Sequence, residues 1–183
     1  MKNSIVIYFL IISFSYSLFS CDDYEENTTP KVEQFTLQAI GTATGLPVQT
    51  KIDGIDLEVT GNAFTMDFFN KQTGERIGSV TDINVTAETF DDGSMIGENY
   101  TVFTFDEDNS TLVLHNFIEM TPIDSVTMEA VIKKENTKTN LIGGTGRFAN
   151  ENGGSTLNAV LDMSEFAKGI VGFNCTYSIS IKI

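Results

Sequence analysis

Basic residues are scarce in this 183-residue chain, with 11 Lys and Arg against 25 Asp and Glu. Nucleic-acid binding rests largely on Lys and Arg neutralising phosphates, so a net charge of −14 argues against it. Cysteine is scarce too. With only Cys21 and Cys175 there is no disulfide framework and no clustered thiolate site for zinc. The one histidine, His115, has no Ser, Cys or metal partner at a readable spacing, which favours a structural role over that of a general base. Helical periodicity is almost absent; its single weak candidate, Met163 to Lys168, reads as a loop with one turn.

The N-terminus carries what the rest of the chain lacks. Residues 1–20 hold one positive charge, Lys2, no acid, and a nearly unbroken apolar stretch from Ile5 to Phe19. That is a secretory signal pattern, with a membrane-spanning helix as the competing reading. Leu18-Phe19-Ser20-Cys21 resembles the lipobox of bacterial lipoproteins, which makes Cys21 the expected lipid attachment site; a plain cleaved signal peptide is the alternative. The acidic stretch that follows has no apolar periodicity, so residues 21–31 read as a flexible tether. Acids directly behind such a cysteine resemble the surface-export signal of some Gram-negative lipoproteins. The expected location is accordingly the outer membrane or cell surface of a Gram-negative bacterium, with the membrane reached through the N-terminal lipid. Loss of residues 1–20 leaves 25 acids against 10 bases, a net charge of −15 that keeps an exported domain soluble.

From residue 32 to 183 the chain alternates at period two, the mark of strands with one buried face. Phe35, Leu37 and Ala39 share one face. So do Ile55, Leu57 and Val59; Phe64, Met66 and Phe68; and Ile83, Val85 and Ala87. Leu112, Leu114 and Ile118 follow, interrupted by a polar break at Asn116. The longest set runs Val171, Phe173, Cys175, Tyr177, Ile179, Ile181, Ile183, which places Cys175 on an apolar face as a buried, inert thiol. Asn70 to Gly74, Asp91-Asp92-Gly93 and Asp106 to Asn109 supply the turns. The last of these lacks the order and distal glutamate of a calcium loop. N-x-[ST] triplets at Asn27, Asn84, Asn99, Asn109 and Asn174 would be glycosylation acceptors in a eukaryotic secreted protein and mean nothing in a bacterial lipoprotein. About eight short strands at regular spacing predict an all-β antiparallel closed barrel or a sandwich, and closure removes exposed edges.

Residues 141–149, LIGGTGRFA, imitate a dinucleotide-binding turn. That turn must open a helix, yet Gly153 and Gly154 fall in its would-be first turns and no strand-helix alternation surrounds it. No Gly-Lys-Ser/Thr follows either, which excludes a P-loop. No cofactor or metal is expected. The segment reads as a structural bend built on Gly143, Gly144, Gly146 and Gly153, between a strand from Thr139 to Ile142 and another from Thr156 to Leu161.

Gly143-Gly144-Thr145-Gly146-Arg147-Phe148, with Gly153 beyond it, resembles the glycine signature of the dirigent proteins and the related allene oxide cyclase barrels. Phe64 to Phe69 followed by Arg76-Ile77-Gly78 is similar to the family's hairpin, and Tyr100 to Phe105 and Asn109 to Leu112 to its next two strands. The likeness covers about residues 62 to 182. It implies an antiparallel barrel of about eight strands, often a homotrimer, with a pocket at one mouth. Asp67 falls near the family's hairpin aspartate and, with His115, is a candidate ligand-binding residue; a solvated aspartate is the alternative. Asn152 stands where the family usually has Arg, and the stretch Phe35 to Ala43 lacks the cyclase glutamate and asparagine, so neither chemistry carries over.

The expected function is an exported, lipid-anchored barrel that binds a small hydrophobic ligand or partner. Two alternatives stay open, an isomerase, cyclase or stereo-directing enzyme on the same barrel, and a purely structural surface protein. The first requires ionisable groups with displaced pKa values converging in a pocket, the second an interior filled by its own side chains.

Overall fold

The computed structural model describes residues 32–182, and the signal segment, Cys21 and the tether lie outside the described residues. Ten strands follow in chain order: β1 (Val32–Thr44), β2 (Leu46–Ile52), β3 (Leu57–Asn70), β4 (Arg76–Thr89), β5 (Met95–Phe105), β6 (Thr111–Pro122), β7 (Thr127–Ile132), β8 (Leu141–Gly144), β9 (Asn152–Asp162) and β10 (Ile170–Lys182). All pair antiparallel in the order β1-β10-β9-β7-β6-β5-β4-β3-β2, and β1 also pairs β3 through Leu37–Ala39, which closes a barrel. Since β7 and β8 both lie between β6 and β9, one at each end, they form one stave interrupted by residues 133–140. The closed wall thus has eight staves, with β2 paired to β3 outside it.

Short polar side chains make the reversals. Asn70 Oδ1 accepts the amides of Gln72 and Thr73, Asp92 that of Ser94, Asp108 that of Ser110, and Asp124 those of Val126 and Thr127. The 163–169 connection contains a single 3-10 turn, Phe166–Lys168.

One half of the barrel is filled. Phe68 meets Phe103 and Phe105 edge-on at 5.2 Å, and Phe103 meets Tyr177 at 5.2 Å, each pair adding about 0.5–1.5 kcal/mol beyond burial. Below them the glycine bend closes the end. At Gly144 a Cβ would stand 2.0 Å from the Thr111 carbonyl oxygen, so only glycine lets β8 lie this close to β6. Gly146, at φ 58°, then starts one 3-10 turn, Gly146–Phe148, that drops Phe148 against Phe105 at 5.0 Å. Arg147 covers both rings at 4.6 and 5.0 Å. The bend starts no longer helix, because Asn152 already pairs with Lys182. Chain entry at Val32 and exit at Lys182 lie together at this plugged end.

The sheet departs from the expected pattern in several places. Residues 57–61 of β3 leave β4 and pair with β2 alone, so the β2–β3 hairpin folds over the outer wall and buries Ile52, Val59, Ile83 and Val113 in a second apolar cluster. A bulge between Asn84 and Thr86 splits the set expected to share a face: Ile83 points out under that hairpin, and Ala87 points into the barrel. Ile55 belongs to the turn before β3 rather than to a strand with Leu57 and Val59, and β8 begins at Leu141 rather than Thr139. Asn116 does not break β6. It faces inward, fully buried.

Candidate functional site

The other half of the barrel is hollow. A cavity of about 250 Å³ opens between the β4–β5 and β6–β7 turns and the 163–169 loop. Its upper wall carries Met95, Met120 and Met163 with Phe166, flexible apolar side chains that adapt to irregular shapes. Phe64, Ile118, Leu161, Val171 and Phe173 line the middle. Around the mouth, Leu46, Phe90, Ile123, Val126 and Phe166 expose further apolar surface.

The deep wall is polar on one side, and strand register explains why. Asn62 pairs Asn84, Asn84 pairs Asn99, and Asn99 pairs Asn116, so four asparagines on four adjacent strands form one rung of the barrel. One step deeper, Asp82 of β4 pairs Thr101 of β5. Asp82 accepts from Thr101 Oγ1 at 2.6 Å and from Asn99 Nδ2 at 2.8 Å to each oxygen. Thr101 accepts from Asn116 Nδ2 at 3.0 Å, and Asn116 Oδ1 accepts from Asn140 Nδ2 at 2.7 Å. Asn140 is held in turn by Ser155, whose amide donates to its Oδ1 at 2.7 Å. The donors of Thr101, Asn99, Asn116 and Asn140 lead step by step toward Asp82, so the network orients the carboxylate firmly.

Burial pushes the Asp82 carboxyl above the ordinary carboxylate range, against the lowering pull of Thr101 and Asn99. Its residual accessible surface faces the cavity, so the group is exposed to a ligand while shielded from bulk water. Two more ionisable groups converge here from β10. Cys175 is pushed up to about 12 by burial and then by the Asp82 charge, and burial raises Tyr177 well above the usual phenol value. Two acceptors on the same wall, Asn84 Oδ1 and Asn99 Oδ1, are buried and receive no hydrogen bond among the described residues.

Neither of the ligand-binding candidates read from the sequence stands on this wall. Asp67 alternates with inward Met66 and Phe68 and so points outward, where Arg76 Nε and Nη2 each reach its Oδ1 at 2.9 Å. His115 also faces outward, stacked on Tyr100 at 4.5 Å with Nε2 2.8 Å from Glu98 Oε1. The acidic turn at Asp106 to Asn109 spends its carboxylates on Arg76, Arg147 and Ser110. The glycine bend acts at the opposite end, plugging the barrel rather than lining the cavity.

Asp82, Asn84 and Asn99 left only a partial signal in the sequence, a polar strand face with no mark of which way it points. Gly78, Val80, Asp82 and Asn84 alternate as cleanly as their apolar neighbours, and Asn99-Tyr100-Thr101 places an amide and a hydroxyl on one strand face.

Among solved structures, the chain is similar to the pterocarpan synthase dirigent protein GePTS1, with 16% sequence identity, a TM-score of 0.41, and coverage of 83% of this chain and 88% of that chain. No family model and no curated protein matches the chain.

Proposed function

We propose that the protein is an exported, lipid-anchored barrel that holds a small, largely apolar molecule in its mouth. The observation that carries this reading is the cavity itself, an apolar wall above a few fixed polar groups, the composition of a ligand site. A purely structural barrel would be filled throughout, whereas here aromatic packing stops half-way. Export and anchoring rest on the apolar N-terminus and Cys21. A tether that joins the barrel at Val32 reaches it at the plugged end, which turns the mouth away from the membrane.

The convergence of Asp82, Cys175 and Tyr177 on one cavity favours a second reading, in which the same site carries out an isomerisation or cyclisation with Asp82 moving a proton. Screening the purified protein by thermal shift against a panel of lipophilic ligands tests the binding reading, and a structure of the best binder shows where it sits. Filling of the cavity is expected. Absence of any shift across the panel would sink the proposal. Asp67→Asn serves as a control that leaves affinity within about twofold, since its side chain faces away from the cavity.

A further inference from the structure

Three acceptors on the cavity wall lack a matching cation. Asn84 and Asn99 are direct cross-strand partners, and Asp82 lies two residues before Asn84 on the same face of β4. Asn99 is only 7% exposed, and its amide has one orientation compatible with an ionised Asp82: Nδ2 donates to both carboxylate oxygens, which leaves the buried Oδ1 without a donor among the described residues. No Lys, Arg or His lines the cavity, and Asp82 takes part in no salt bridge among the described residues. Toward the mouth the surroundings turn apolar, through Met95, Met120 and Met163 to the exposed rim of Phe90, Ile123 and Phe166.

We infer that the ligand is a protonated primary amine carried on an apolar body, bound head first with its ammonium group against Asp82, Asn84 and Asn99. This rests on the binding reading above and narrows it to a chemical class. An ammonium group has three N–H donors for three acceptors and supplies the positive charge that a buried carboxylate needs. A hydroxyl has one donor and would leave acceptors unmet at a cost. A carboxylate would be repelled. The net charge of −14 also draws cations toward the protein.

Calorimetric titration of the purified protein at pH 7 with n-octylamine, n-octanol and octanoate reads the head-group preference. Octylamine is expected to bind at least about tenfold tighter than octanol, and octanoate to give no measurable heat. Octyltrimethylammonium, which keeps the charge without N–H donors, is expected to bind at least about tenfold more weakly than octylamine. Asp82→Asn is expected to abolish the preference for octylamine over octanol. Octanol, octanoate or octyltrimethylammonium binding as tightly as octylamine overturns the amine assignment and leaves the apolar-ligand reading intact, as does unchanged octylamine binding by Asp82→Asn. Heat from none of the four overturns both. The ligand comparison is made on the unaltered protein, so it decides the matter even if the variant does not fold.

Discussion

Asn84 and Asn99 face one another across β4 and β5, and neither side-chain oxygen receives a hydrogen bond among the described residues. A buried acceptor without a partner costs about 1–3 kcal/mol, so a pair of them beside a buried carboxylate marks where this fold gives up stability. The rest of the network is satisfied. Asn116, Asn140 and Ser155 bond to one another and to Thr101, and the shortfall lies only where the wall meets the cavity.

Charge at Asp82 opposes folding. Burial raises its folded pKa above the unfolded value of about 3.9, so the protonated carboxyl contributes stability that is complete below the unfolded pKa and is lost as pH rises through the folded pKa. The facing ionisable groups, Cys175 and Tyr177 of β10, are pushed upward and stay neutral through that window. Asp82→Asn is therefore expected to melt above the parent protein at pH 8, with the advantage shrinking toward pH 4. Melting temperatures of both proteins across this range check it, and parallel curves would show that Asp82 does not titrate with folding.

Asn140 joins two parts of the wall. Its Nδ2 donates to Asn116 Oδ1 and Ser155 Oγ, and its Oδ1 accepts the Ser155 amide. Asn140→Ala strands all three in the buried interior. A loss of about 2–4 kcal/mol in urea denaturation is expected, and a loss below about 1 kcal/mol would mean that water replaces the amide.

Two glycines separate steric crowding from backbone preference. A Cβ at Gly144 would stand 2.0 Å from the Thr111 carbonyl oxygen, whereas one at Gly74, φ 72°, would meet nothing within 4 Å. Gly74→Ala is expected to cost about 1 kcal/mol and Gly144→Ala about 3 kcal/mol or more, because β8 must move off β6. Chemical denaturation of both variants measures the difference; equal losses would show that β8 shifts freely.

A thiol pKa of about 12 leaves roughly one Cys175 in 10⁴ ionised at pH 8. Iodoacetamide is expected to leave Cys175 unmodified in the folded protein and to alkylate it after denaturation. Peptide mass spectrometry at pH 8 distinguishes the two states, and rapid labelling of the folded protein would mean that the thiolate is reached through the cavity mouth.

The architecture was legible because alternation and turn chemistry are local. Leu37, Phe68 and Leu114 declare an inward face through their neighbours, and Asp92 and Asp124 mark reversals within a few residues of themselves. The site was hidden for the opposite reason. Asp82 and Asn84 carry no local sign that they face inward, since Ile83 and Val85 beside them supply an equally convincing apolar set. What buries Ile83 is a hairpin crossing from elsewhere, and what re-aims Ala87 is a bulge; neither leaves a local mark. Asn62, Asn84, Asn99 and Asn116 come together only through register, which links positions more than fifty residues apart. Asp67 stands out only through the likeness to the family's hairpin aspartate and His115 only as the single histidine, and both turn outward to partners of their own.

The ladder between β1 and β10 runs from Val32 with Lys182 to Thr44 with Ile170, joining the first described strand to the last. A nascent chain therefore holds β1 without its main neighbour until β10 has been made. Closure belongs among the slow, non-local folding events, about milliseconds to seconds. A stop codon before residue 170 would remove the strand that seals both β1 and β9, and two raw edges would pair between molecules instead.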